Sequence, residues 1–152
     1  RHACPQWAEK VEDFEVNGKK HITQEGATCK IYNIIYAIRC KKCLKWYIGE
    51  SGMKLHNRVN GHRASIKRLQ KGEKLNSQMT DTGAADHFSQ KDHNFDENAE
   101  FHVLERGNWT DAADRKRRES FLICKYRTLQ MEGGRGGLNK TPGFFRDFYG
   151  KI

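Results

Sequence analysis

The sequence has no apolar run approaching the roughly 18 residues that a membrane span needs, no signal peptide at its start, no internal repeat and no even set of cysteines. The first two absences predict a soluble chain with no membrane partner. The chain opens at Arg1 and not at methionine, so it is expected to be a domain cut from a longer polypeptide. Its five cysteines, Cys4, Cys29, Cys40, Cys43 and Cys124, are odd in number and unevenly spaced. That pattern suits a reducing compartment, with metal-bound or free thiols, better than a disulfide scaffold. A glycine-rich stretch is present at Gly133, Gly134, Gly136 and Gly137, but it lacks the preceding strand and following helix of a phosphate-cradling loop and reads as a flexible connection. Acidic residues are short: 19 Asp and Glu face 28 Lys and Arg, a formal charge of +9. Such an excess fits a polyanionic partner, because each cation that neutralises a phosphate releases a condensed counterion. Simple solubility is the plainer explanation of the same charge.

A length of 152 residues allows one domain with a real core and is short for two. Residues 1–28 hold isolated Trp7, Val11, Phe14 and Val16 with no sustained period, and read as an arm with a strand or turn near Asn17-Gly18. The body is then residues 29–152. From Ile31 to Ile38 a β-branched, apolar run predicts a strand. A basic turn with Cys40 and Cys43 leads to a second strand through Leu44, Trp46, Tyr47 and Ile48, closing at Gly49. The two are expected to pair as an antiparallel hairpin. Leu55, Val59, His62, Ile66 and Leu69 recur at helical steps, with Ser51 or Gly52 before and Gly72 after. A polar loop through Ser77, a short helix at 82–90 and a strand at 100–104 follow, Leu104 blurring the alternation of Phe101 and Val103. Thr110 reads as the N-cap of a last helix, with Asp111 and Asp114 favouring its positive end, running to about Gln130. The terminal Phe144, Phe145, Phe148 and Tyr149 are expected to pack back on the domain or to meet the rest of the parent protein. The expected architecture is α/β, more closely α+β: a small, mostly antiparallel three-stranded central sheet flanked by helices.

Several residues stand out for chemistry. Tyr36 and Tyr47 lie on the two paired strands, where aromatics usually serve packing. Arg58 and His62 are four apart and so share a helix face; His62 also falls on the apolar stripe, as a core histidine would. Glu119, with Leu122, Ile123 and Tyr126 at helical offsets, lies on an apolar face where an unpaired carboxylate is costly to bury. Either an ion pair with Arg115 or Arg118 one turn back satisfies it, or a metal does. Cys40-x-x-Cys43 aims two thiols at one point, and His87 and His93 have a spacing seen in Cys2His2 zinc sites. A redox dithiol or two unrelated free cysteines are the alternatives. Lys54, Arg63, Lys67, Arg115 and Arg118 lie on helical segments and are the expected phosphate contacts.

Ile34-Ile35-Tyr36 followed by Tyr47-Ile48-Gly49 resembles the two-part signature of the GIY-YIG nucleases, with Arg58, His62, Glu119 and Asn139 in the same order downstream over about residues 31–140. Ile34 departs from the motif's first glycine. The resemblance implies a metal-dependent DNA endonuclease, with Mg²⁺ or Mn²⁺ on Glu119. It further implies Tyr36 as general base with its proton drawn off by His62, Arg58 on the scissile phosphate, Tyr47 orienting the water or the phosphate, and Asn139 supporting the phosphate or the wall of the site. A phenol near pKa 10 is a weak base at pH 7, so Arg58 and the metal are expected to depress it.

Two cysteines between the tyrosine motifs and a downstream histidine pair are similar to the endonuclease domain of Penelope-like retroelements, which follows a reverse transcriptase. That narrower resemblance implies a structural Zn²⁺, nicking of target DNA to leave a 3′ hydroxyl that primes reverse transcription, contact with element RNA through the rest of the parent protein, and a nuclear location. Cys4 and Cys29 then belong to a linker motif, or pair with His2 or His21 in a second site. A cellular repair or junction-cutting nuclease and a zinc-stabilised binding module without catalysis are the competing readings.

Overall fold

In the computed structural model, residues 14–21, 31–75, 81–107, 109–131 and 136–142 are described. They form a mixed α+β domain around an antiparallel three-stranded sheet, with four helices. The sheet strands are β3 (Ile34–Cys40), β4 (Trp46–Ser51) and β5 (Ala99–Arg106), in the order β4-β3-β5. A separate hairpin, β1 (Phe14–Val16) and β2 (Lys19–His21), precedes them. The helices are α1 (Leu55–Gln70), α2 (Gly83–Phe88), α3 (Phe95–Asn98) and α4 (Ala112–Tyr126). None of them is long and apolar enough to cross a membrane.

Strand β3 lies in the middle, which is why its apolar run does not alternate: both of its faces are covered. Ile34, Tyr36 and Ile38 pack with Leu55, Val59 and Ile66 of α1 and Phe88 of α2. Ile35 and Ala37 point the other way, against Leu122, Ile123 and Tyr126 of α4. Helices therefore cover both faces of the sheet.

Several boundaries differ from the sequence expectation, and for β3, β5 and α4 the cause is visible. Strand β3 begins at Ile34, because Asn33 takes a left-handed conformation (φ 57°) and its amide donates to the carbonyls of Gly107 and Trp109 at 3.0 and 2.9 Å. Asparagine tolerates that conformation better than any residue except glycine. Tyr36 pairs with Val103 while Ile35 pairs with Glu105, leaving Leu104 as an extra residue in β5. This bulge turns Leu104 into the α4-side core while Phe101 and Val103 face α1. Helix α4 is capped by Asp111, whose carboxylate accepts from the Ala113 amide at 2.8 Å, and not by Thr110. The helix ends at Arg127, left-handed at φ 54°, and the Thr128 amide reaches back to the Ile123 carbonyl at 3.2 Å, the hydrogen-bond pattern of a Schellman stop. It is therefore shorter than the expected helix to Gln130. Helix α3, a single turn capped by Asn94, had no helical period to announce it.

Part of the expected arm belongs to the body. Asn17 and Gly18 both have positive φ (51° and 82°), as the tight turn of a two-residue hairpin requires. The hairpin lays Val16, fully buried, on the α4-side core. His21 bridges the Tyr126 hydroxyl at 2.5 Å and the Leu104 carbonyl at 2.8 Å. The residues before and after this hairpin, with Cys4, Cys29 and His2, lie outside the described residues, as do Ser77, Gly133, Gly134 and the four terminal aromatics.

Residues 136–142 form a strap along the free edge of β4. The Leu138 amide donates to the Trp46 carbonyl at 2.8 Å, and the Asn139 side chain both accepts from the Ile48 amide and donates to the Ile48 carbonyl, each at 2.9 Å.

Candidate active site and candidate metal centre

On the α1 face of the sheet, β3 and β4 bring Tyr36 and Tyr47 to a ring separation of 6.5 Å, and His62 packs edge-on against both at 5.8 Å. The Tyr36 hydroxyl meets His62 Nε2 at 2.7 Å and accepts from Arg58 Nε at 3.0 Å. Register explains how the phenol fits. Tyr36 pairs with Gly49, and a Cβ at Gly49 would lie 2.5 Å from the Tyr36 Cζ and hydroxyl. Only glycine leaves room there. The first motif position, where Ile34 stands, is buried in the same core cluster as Tyr36 and Tyr47.

Burial dominates the electrostatics. It pushes the Tyr36 phenol above its usual value, with the Arg58 cation opposing, and pushes Tyr47 up further, with the neighbouring Tyr36 and Asp81 adding to the rise. Of the two cations expected to depress Tyr36, Arg58 acts in that direction, and the loss of water around the ring outweighs it. His62 is held down to about 3 by burial and by Arg58, so its imidazole is neutral. Arg58 stays a cation, favoured by the phenol it donates to.

Glu119 is half-buried on α4. Its charge is felt by Tyr36 and Tyr47, and burial together with the nearby Glu50 and Asp81 raises its carboxyl to about 8, against Arg58 and Lys116. The ion pair open to it on sequence grounds does not form. Arg115 donates to Glu50 at 3.0 Å and to Asn33 at 2.8 Å, while Arg118 forks onto Glu105 at 2.6 to 3.0 Å. Among the described residues no hydrogen bond or ion pair satisfies Glu119.

Asn139 is buried and its amide is used up on β4 and on the Thr128 hydroxyl, 2.7 Å away. Its second N–H reaches the Asp81 carboxylate at 3.4 Å, so among the described residues it is fully engaged in tying the strap to β4 and Asp81. The expected phosphate contacts divide similarly. Lys54 and Lys67 are exposed and carry no ion pair among the described residues. Arg63 is engaged by Asp96 at 2.8 Å and by Asn60, and Arg115 and Arg118 are engaged as above. Each of these three cations thus has an acidic partner within the fold.

Two acidic residues were not anticipated. Glu50 holds Arg115. Asp81, just before α2, accepts from Gly83, Lys140 and Thr141 amides and receives the Tyr47 hydroxyl on its carbonyl. A carboxylate one residue ahead of the helix expected at 82–90 is an N-terminal signal, and that alone could have drawn notice to it.

A second cluster gathers Cys40, Cys43, His87 and His93, one candidate ligand atom of each lying within 4.8 Å of every other; it is the one such group among the described residues. These residues could hold a metal ion. The turn is shaped for it: the Cys43 amide donates to Cys40 Sγ at 3.4 Å, and the Leu44 amide closes onto the Cys40 carbonyl at 2.7 Å with Leu44 left-handed. Cys43 Sγ and His93 Nε2 are 3.3 Å apart, close to the roughly 3.3 to 3.8 Å edges of a tetrahedral zinc site. His93 Nδ1 lies 2.8 Å from an Asp92 carboxylate oxygen, an outer contact that turns Nε2 inward. His87 Nε2 is buried with no hydrogen-bond partner, an orphan that a metal would satisfy. Lys42 ties the turn to Asp92.

No family model, curated protein or solved structure matches the chain.

Proposed function

We propose that the chain hydrolyses phosphodiester bonds in DNA as an endonuclease of GIY-YIG type. The observation that carries this reading is the hydrogen-bonded chain Arg58, Tyr36, His62, with an unpaired Glu119 in electrostatic reach. Tyr36 accepts the Arg58 N–H and donates its proton to neutral His62, leaving a lone pair for a water. As that water attacks phosphorus, Tyr36 takes its proton and passes its own to His62, so a phenolate need never build up. Burial is the larger cause that holds His62 down and Arg58 the smaller, and a bound phosphate would offset the Arg58 part. The remaining guanidinium nitrogens of Arg58 have no partner among the described residues and can balance charge growing on the phosphate.

A lone, unsatisfied carboxylate suits a hard cation that keeps most of its waters, so Glu119 is the residue to hold Mg²⁺ or Mn²⁺. Such an ion supplies Lewis-acid stabilisation of the leaving 3′ oxygen. The Cys40, Cys43, His87, His93 set is proposed to bind structural Zn²⁺, and it favours a retroelement nuclease that nicks target DNA in the nucleus to prime reverse transcription over a cellular repair enzyme.

Supercoiled plasmid with Mg²⁺ or Mn²⁺ tests this. Wild type should nick it, and Glu119→Ala or Tyr36→Phe should lose on the order of 100-fold or more in rate. Undiminished nicking by either variant would sink the assignment. Folded wild type that binds DNA without cutting would leave a binding module.

A further inference from the structure

We propose that Asp81 is a positioning residue for this reaction: its carbonyl fixes the direction of the Tyr47 proton, so that the phenol offers the attacking water an acceptor and not a donor. The inference rests on the nuclease reading and decides between the two roles, water or phosphate, that Tyr47 could take in it.

Tyr47 is buried on the sheet face beside Tyr36 and His62, and its hydroxyl donates to the Asp81 carbonyl at 3.2 Å. A phenol has one proton. With that proton committed, only lone pairs remain for anything else in the site. A phosphate oxygen needs a donor, which Arg58 supplies. An attacking water has two protons: Tyr36 receives the one that is transferred, and Tyr47 can hold the other, fixing the angle at which the water's lone pair meets phosphorus.

The Asp81 carbonyl is held by its own side chain. One carboxylate oxygen accepts from the Gly83 amide at 2.8 Å; the other accepts from the Lys140 and Thr141 amides at 2.8 and 3.1 Å and from the Asn139 side chain at 3.4 Å. The last three donors belong to the strap, which bonds to Trp46 and Ile48 on either side of Tyr47. Tyr47, Asp81 and the strap thus form a closed ring of hydrogen bonds. The ring is closely packed: a Cβ at Gly83 would lie 1.9 Å from the Leu138 carbonyl, so only glycine fits there. Both carboxylate oxygens are committed to N–H donors, so Asp81 positions and does not itself react.

The test uses protein labelled with 3-fluorotyrosine at its five tyrosines, the Tyr47 fluorine signal being assigned by its loss in Tyr47→Phe. In Asp81→Asn, which keeps an acceptor for Gly83, the Tyr47 signal should move and the distant Tyr126 signal should not. In the nicking assay kcat should fall roughly 10- to 100-fold with KM changed less than about twofold. The same substitution should add nothing in a Tyr47→Phe background, because both remove one oriented acceptor. Asp81→Ala gives the larger perturbation wherever its melting curve shows a folded protein. An unmoved Tyr47 signal in folded Asp81→Asn, or rate losses that multiply in the double variant, would overturn the proposal. Wild type that cuts nothing removes the nuclease reading, and the fluorine signal then decides the Asp81–Tyr47 contact alone.

Discussion

A carboxyl group set below the surface near two other carboxylates resists ionisation, and in Glu119 the resistance is large: its carboxyl titrates near 8 where a free glutamate would lose its proton near 4.5. The folded state therefore binds a proton more tightly than the unfolded chain. The stability this contributes is fully present below about pH 4.5 and is lost as pH rises through about 8. Glu119→Gln removes the titration. The variant should match wild type near pH 4.5 and exceed it at pH 9 by about 1 to 3 kcal/mol, read as a gain of several degrees in Tm. Equal melting curves at pH 9 would show that the site does not strain the carboxylate. A residue kept at such an expense to folding is more readily understood as a ligand than as a surface charge.

Among the elements, the Cys40–Cys43 turn and helix α2 are the pair that a metal would join, since both sides supply ligands. Purified protein should contain about one zinc per chain, and a zinc-selective chelator should lower its Tm by many degrees, structural zinc being worth several kcal/mol of folding free energy. Cys43→Ser and His93→Ala should do the same without chelator, while nicking by folded wild type should still answer to Mg²⁺. Metal analysis that finds no zinc would refute this. The four ligands could be picked from the sequence because a Cys-x-x-Cys turn is local and its partners are of rare types. Elements whose form depends on distant contacts were less legible. Leu104 blurs the period of β5 because it is a bulge, and a bulge is set by the pairing strand. Asp111 and Thr110 are both good caps, and only the path of the chain chooses. The hairpin at 14–21 has its turn written in Asn17-Gly18, yet nothing in its alternation says that Val16 meets α4.

For the molecule as a whole, a formal charge of +9 overstates what is free to meet a polyanion. Arg63, Arg115 and Arg118 are each neutralised by an acidic partner, whereas Lys54 and Lys67 are exposed without one among the described residues. Lys54→Ala and Lys67→Ala should each reduce the slope of log affinity against log salt by about 0.9. Arg118→Ala should leave the slope alone and lower Tm, because it strips Glu105 of its partner. A slope change for Arg118→Ala equal to that of the lysines would show that its ion pair opens on binding. Tyr36, Arg58, His62 and Glu119 could be proposed because their order along the chain resembles that of the GIY-YIG nucleases. Glu50 could not, and Asp81 offered only a helix-start signal, because a carboxylate in a charge-rich chain is ordinary until its partners are known.

The strap on β4 has a further consequence. A sheet of three strands has two borders, and each is an open row of amides and carbonyls on which another molecule's strand can polymerise. Here one border is occupied by the Asn139 amide, which imitates a peptide unit beside Ile48, and the other is touched by His21 at the Leu104 bulge. The Leu138 amide and the Asn139 side chain thus occupy part of the β4 border as a fourth strand would elsewhere, and the border they cover is closed to strand exchange.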